Sequence, residues 1–436
     1  MIRESYKALK FTISTADWQF IRSSAFLSGG VVIARILGLA FSLVLARVLI
    51  PEDYGYVQYA LTVAHVMGLL TQPFVQHVVA RFVGQYQGDR KQTETLLSTA
   101  LFIVLVLFGL TLLVSVAVLS SLNHFSWGIL AVYFGSTLFY AYYGLVRGLL
   151  DNTRLLVCYL GSNFVQIIAV LVIFAVFKSK STEAALLIFG LSYLLPLTLL
   201  QLYAPVPITI RLAWPQRRWL SRLIRFSAPV WLSHAGYIVY LSIDVLLLER
   251  FSGTEAVGQY SLTKTLGMVF AFVPWGINTI LMPKIAGAPK AQHRRLLLTS
   301  ILLYIGVSSI MLVAYTALYA SFVRLIFGVG YVVGPDIYLV LALGHIVFGM
   351  HSIISSVVVG SDRAKAETLS VLVGTGVSVL VAVVLIPEWG AVGAAATVLI
   401  GATVALLMYP LMFAFGRLRR LLAFTLTKAP LAGDET

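Results

Sequence analysis

The chain has 436 residues, 59% hydrophobic and only 11% charged, and its mean hydropathy is +0.93. Soluble domains run at about 45–50% apolar and about 25% charged, so an ordinary water-facing surface is excluded and the solvent must be lipid. Lys and Arg number 31 against 17 Asp and Glu, a net charge of +14; in such a chain this reads as basic loops on the cytoplasmic side, not as a nucleic-acid surface.

Apolar runs long enough to cross a bilayer follow one another along the chain. The first half predicts spans at Ala25–Ile50, Tyr56–Val83, Leu96–Leu119, Trp127–Leu149, Leu155–Phe177 and Ala184–Tyr203. The second half predicts Ala228–Leu248, Val257–Ile280, Leu296–Ala320, Ile337–Val359, Thr368–Ile386 and Ala391–Phe415. The expected fold is therefore an all-α membrane protein of about 12 transmembrane helices. The first run is too long for a signal-peptide core and reads as an uncleaved span. Trp127, Tyr203 and Trp389 fall near span ends, where interfacial aromatics belong. The single cysteine, Cys158, lies in an apolar run and has no partner for a disulfide or a metal cluster.

With the N-terminus and every second loop assigned to the cytoplasm, that side carries 24 Lys and Arg against five on the other, and Arg35 and Lys264 remain inside spans. An alternation held over the whole chain supports the span count and places both termini in the cytoplasm. The expected domains are a lobe over 1–203, a basic linker over 204–227, a second lobe over 228–415 and a basic tail over 416–436. In the linker, Arg218, Arg222 and Arg225 take one helical face and Trp219, Leu220, Leu223 and Ile224 the other. That pattern fits either a short amphipathic helix on an anionic leaflet or a plain basic linker.

The halves repeat each other. Gln58-Tyr59-Ala60-Leu61-Thr62 is echoed by Gln259-Tyr260-Ser261-Leu262-Thr263, and Pro73 and Pro274 each follow the Thr by eleven residues. Leu96-Leu97-Ser98-Thr99 is echoed by Leu296-Leu297-Leu298-Thr299, and Glu52-Asp53-Tyr54-Gly55 by Glu255-Ala256-Val257-Gly258 with a small slip. Six spans is an even number, so both halves enter from the same side as parallel repeats. Such duplicated bundles surround a central cavity and rock to open it alternately, which points to transport.

No Lys follows a Gly, so no phosphate-binding loop of the Walker type exists, and neither His-Glu-x-x-His nor Gly-x-Ser-x-Gly occurs. The outer loops are short, which disfavours an enzyme such as a membrane glycosyltransferase or polymerase. Charges inside spans cost about 2.5–3.5 kcal/mol each on insertion scales and are rarely idle. Three occur: Arg35, Asp244 and Lys264. Asp244 and Lys264 flank the turn near Gly253 at similar depth, as a pair that either ties helix seven to eight or yields to a substrate or ion. Arg35 has no acid in its own helix and reads as a cavity-facing anion binder, its planar fork suiting phosphate.

Asn163, Gln166, Gln76 and Asn278 are able to hydrogen-bond a sugar or to tie helices together. His65, His77, His234, His345 and His351 fit buried structural roles better than proton transfer. Pro73 and Pro274 each remove a helix hydrogen bond at equivalent depth, which fits either a hinge or a passive kink.

Several stretches resemble the polysaccharide-transporter family, which includes the Wzx-type flippases. They are Ala46-Arg47-Val48-Leu49-Ile50-Pro51-Glu52-Asp53-Tyr54-Gly55, Leu223-Ile224-Arg225-Phe226-Ser227-Ala228-Pro229, Asp244 with Val257-Gly258-Gln259-Tyr260-Ser261, Phe327-Gly328-Val329-Gly330-Tyr331, and Ile386-Pro387-Glu388-Trp389-Gly390-Ala391-Val392-Gly393-Ala394-Ala395. The resemblance implies membership of the multidrug/oligosaccharidyl-lipid/polysaccharide superfamily and a cationic central cavity. It implies flipping of an isoprenoid-diphosphate-linked oligosaccharide across a bacterial inner membrane, with membrane lipids, a polysaccharide polymerase and chain-length proteins as partners. Ala34-Arg35-Ile36-Leu37-Gly38 also resembles the first span of lipid II flippases, but the second arginine of that motif is Phe41 here. A lipid-linked glycan other than a peptidoglycan precursor is therefore favoured. No cofactor is expected; a proton or sodium gradient, or consumption of the product outside, would each suffice as driving force. The competing expectation, a cation-coupled multidrug exporter, would want acidic residues in the cavity, and only Asp244 is on offer.

Overall fold

The computed structural model describes residues 15–86, 89–121, 126–149, 151–175, 181–203, 206, 214–287, 289–361 and 363–427. Every regular element among them is helical. Arg3, Lys7, Lys10, Lys178, Lys180, Arg211 and Lys428 of the charge count, most of the 204–213 stretch and the end of the tail lie outside the described residues.

Eight helical stretches are long and apolar enough to cross a membrane. Two of them, Val230–Asn278 and Lys365–Phe413, are 49 residues long and fold back once, so each supplies two spans. With Thr15–Val48 and the helical segments of 51–85, the described chain makes twelve, six in each repeat.

The reversals inside the long stretches are tighter than the sequence implied. The apolar runs left room for a loop over 249–256, yet the chain turns at Gly253 alone, at φ 81°. Gly390, at φ 51°, does the same between spans eleven and twelve. Positive φ is nearly free for glycine and strained for other residues, so one glycine replaces a loop.

The helix breaks expected at Pro73 and Pro274 lie ahead of the prolines themselves. Span two leaves regular α-helix after Met67 and passes through a π-helical stretch at Phe74–Val79. Span eight breaks at Met268. Each break begins just ahead of the carbonyl four residues before its proline, that of Leu69 or Phe270, with which the ring of Pro73 or Pro274 would clash. Side chains from other spans hydrogen-bond to the carbonyls around the break. Trp231 Nε1 donates to the Leu70 carbonyl at 2.8 Å, and the Tyr304 hydroxyl donates to the Phe270 carbonyl at 3.2 Å.

The basic stretch ahead of span seven is helical from Arg217 and runs straight into the span. Trp219 and Leu223 are buried, while Arg217, Arg218, Arg222 and Arg225 are exposed. It forms the first turns of span seven and not a separate helix.

Candidate functional site

The seam between the lobes is made by spans one and two against spans seven and eight. A cavity of about 430 Å³ lies in it. Span one contributes Arg35, Gly38 and Ser42; span two Gln58 and His65; and span five Asn163 and Gln166. Span eight closes the cavity from the other lobe with Thr265, Met268, Phe272 and Trp275.

Arg35 is exposed to this space. Its guanidinium lies 3.9 Å from the centroid of the Trp275 ring, a contact that holds a cation without neutralising it. Among the described residues no carboxylate lines the cavity and none pairs with Arg35. Tyr140 and Tyr159 are within electrostatic reach of the guanidinium and, with Phe139, Phe189 and Tyr193, form an aromatic wall. Asn163 donates Nδ2 to the Tyr159 carbonyl at 2.7 Å, which leaves its oxygen beside Gly38. Gln166 is buried and lines the cavity with Tyr193.

Asp244 and Lys264 meet, but elsewhere. Lys264 Nζ lies 2.6 Å from Asp244 Oδ2 and also donates to the Leu241 carbonyl at 3.0 Å. Tyr260 donates its hydroxyl to the same carboxylate oxygen at 2.5 Å. The Val245 amide supplies Oδ1 at 2.9 Å. Asp244 is fully buried. Each carboxylate oxygen has a donor, which is the condition for a buried ion pair to be stable. The pair braces the hairpin of spans seven and eight and is absent from the lining of the Arg35 cavity.

A second cavity of about 170 Å³ opens inside the second lobe and shares Trp275 with the first. Tyr409 donates to the Glu367 carboxylate there, and His351 Nε2 lies 3.0 Å from Ser370 Oγ and 3.3 Å from the Tyr409 hydroxyl. Sequence reading passed over Glu367 and Tyr409. Glu367 stands two residues from Lys365 and looks like part of a basic loop, and Tyr409 lies 42 residues further on. Trp275 was missed for a similar reason, since nothing local ties it to a span-one arginine.

The turn motifs around Gly55, Gly258 and Tyr331 gather at one end of the seam, away from the basic loops, and not at the cavity. Gly55 and Gly258, which the two repeats match only with a small slip, pack backbone to backbone. A Cβ on Gly55 would sit 1.8 Å from the Thr254 carbonyl oxygen, and one on Gly258 would sit 1.9 Å from that of Pro51. Tyr331 reaches across to donate to the Leu49 carbonyl at 2.9 Å and packs edge-on against Tyr54.

A duplicated twelve-helix bundle with a cationic, aromatic cavity at its lobe seam defines a membrane transporter fold. The chain belongs to the polysaccharide biosynthesis protein family, which it matches over residues 20–273. Its fold resembles the lipid II flippase MurJ in an inward closed conformation, with a TM-score of 0.70 at 14% identity, covering 90% of this chain and 87% of that one. It also resembles an inward-facing multidrug resistance MATE transporter of the MOP superfamily, with a TM-score of 0.62 at 16% identity, covering 91% of this chain and all of the other. A MOP superfamily transporter from Pyrococcus furiosus, described as having a binding pocket of reversed polarity, gives 0.57 at 16% identity over 91% and 95% of the two chains. An uncharacterised membrane protein of Methanocaldococcus jannaschii is 20% identical over 190 residues, 42% of this chain and 38% of its own length.

Proposed function

We propose that this protein flips an isoprenoid-diphosphate-linked oligosaccharide, a repeat unit of O-antigen, capsule or exopolysaccharide, across the bacterial inner membrane by alternating access. The observation that carries this reading is Arg35, exposed in a seam cavity that no carboxylate lines among the described residues. A diphosphate must cross about 30 Å of hydrocarbon, and a fixed guanidinium offers it a two-pronged donor. The aromatic wall suits the C–H faces of a sugar, and Ser42, Gln58, Asn163 and Gln166 suit its hydroxyls. The lipid tail stays in the bilayer at the seam. Lys264, held by Asp244, acts in this scheme through the hairpin that carries span eight. An exporter of cationic drugs would need the opposite polarity in this cavity.

Both termini then face the cytoplasm, where a basic surface attracts anionic lipids. A polymerase and chain-length proteins would take the product on the other side. Cation coupling, if a proton or sodium ion drives the cycle, has its best place at Glu367, Tyr409 and His351, one indole away from Arg35.

The test is Arg35→Ala and Arg35→Lys in cells or vesicles supplied with lipid-linked oligosaccharide. Arg35→Ala is expected to abolish transport at normal membrane abundance, with substrate accumulating on the cytoplasmic leaflet. Arg35→Lys keeps the charge but loses the fork, so transport falls clearly. A decline in abundance and thermal stability in step with activity would assign Arg35 to structure, and full activity would reject the reading.

A further inference from the structure

We infer that the cleft between spans eight and nine is a binding site for the phosphate headgroup of an anionic phospholipid. The inference does not depend on what the central cavity carries, because the two spaces share no lining residue. The cleft has a volume of about 610 Å³ and lies between Val269–Gly287 and Lys290–Ile326.

Its two ends differ in chemistry. At the mouth, beside the connection between the helices, stand Lys284 and Arg295, with Gln292 and Thr299 as further donors. Both cations are exposed. Among the described residues neither has an ion pair or an aromatic ring over it, and no carboxylate lines the cleft. The floor is apolar: Ile277 and Leu281 on one helix face Leu303 on the other. Ile277 precedes Lys284 by seven residues and Leu303 follows Arg295 by eight. At about 1.5 Å per residue the floor lies roughly 10–12 Å below the charges.

A phospholipid has the same polarity over the same length, a phosphate at the interface and acyl chain directly beneath. Arg295 can engage two phosphate oxygens at once, and Lys284 adds a point charge. The positive end of the long span-nine helix, beginning at Lys290, points at the same mouth. Basic pockets between spans on the side of the basic loops are where anionic headgroups bind. The site also has a lever: Ile277 is two residues beyond Trp275, which contacts Arg35. A lipid wedged behind span eight therefore bears on the helix that closes the central cavity.

The experiment is native mass spectrometry of the purified full chain in detergent, with phosphatidylglycerol and phosphatidylcholine offered in competition. Wild type is expected to retain phosphatidylglycerol in preference. Lys284→Gln with Arg295→Gln should weaken that retention by about tenfold or more, since two basic contacts are lost. Leu303→Trp fills the floor while keeping the charges, and should weaken it too. Arg218→Gln with Arg222→Gln, basic but outside the cleft, should leave it unchanged. Undiminished retention in the Lys284/Arg295 variant would overturn the assignment. So would displacement of the lipid by equimolar inorganic phosphate, which would mark a bare anion site. Displacement by an isoprenoid phosphate at far lower concentration than phosphatidylglycerol would also overturn it, by making the cleft a waiting place for substrate.

Discussion

The two ends of the lobe seam are closed by different chemistry. Away from the basic loops, Gly55 meets Thr254 and Gly258 meets Pro51 through bare backbone. At the basic end, side chains meet instead. Phe82 lies edge-on to Phe226, Tyr86 edge-on to Trp219, and the His77 and His234 rings are 5.3 Å apart. Arg81 stacks over Phe226, and Arg222 donates to the Tyr86 hydroxyl at 2.5 Å. Backbone contact tolerates no added atom, because the interior is already close-packed and its carbonyls cannot rotate away. Aromatic and guanidinium contacts can re-form in several rotamers. One end of the seam is thus a geometric fit that is either made or lost. The other is a set of contacts, each of small worth, that can part in steps. A rocking transporter needs both kinds, since each end must open while the other holds.

The largest expected effect comes from breaking the backbone fit. Gly55→Val or Gly258→Val puts side-chain atoms into a neighbouring carbonyl, so the end of the seam away from the basic loops cannot close. Transport is expected to vanish. With Cys158 replaced by serine, a cysteine at Ser42 should become reactive to an impermeant reagent from that side, whereas it stays protected when Gly55 is present. Protection in the valine variants would show that the glycine contact does not hold the seam.

Next comes the brace beneath that fit. Gly258 lies between Asp244 and Lys264 on the same hairpin, so the ion pair fixes the glycine's position. Asp244→Asn leaves Lys264 without a counter-charge and is expected to destabilise the protein by about 3–5 kcal/mol, read as a lower unfolding temperature. Asp244→Asn combined with Lys264→Met should recover most of that loss, and strictly additive losses would show that the two charges act separately.

The basic end should respond less. Phe226→Ala removes the ring beneath Arg81 and the edge contact with Phe82, for a loss of about 1–2 kcal/mol. Trp231→Phe keeps an aromatic ring, though a smaller one, and strips the hydrogen bond to the Leu70 carbonyl, about 0.5–1.5 kcal/mol. Both variants should raise labelling of a Ser42 cysteine from the basic side while leaving substantial transport. If either abolished transport as completely as Gly55→Val, the contrast between the two ends would fail.

Much of this architecture is written locally. Span number, the twofold repeat of six spans and the neighbourhood of the helix breaks follow from hydropathy and from matched spacings, because a bilayer forces every span to satisfy its backbone within itself. Arg35 stood out as a charge in an apolar run, and Asp244 and Lys264 as two charges at equal depth around one turn. Tertiary structure decided which of these charges faces a cavity and which is consumed by partners, since Tyr260 and Leu241 complete the Asp244–Lys264 site while Arg35 receives the face of Trp275 and, among the described residues, no counter-charge. It also decided that Glu367 and Tyr409 share a hydrogen bond, and that Gly55 and Gly258 touch. Those pairings join residues from different spans, and sequence spacing carries no information about how one helix rotates against another. Chain-local physics fixes where helices start, cross and turn. The faces they present to one another depend on packing, which exists only once all twelve are assembled.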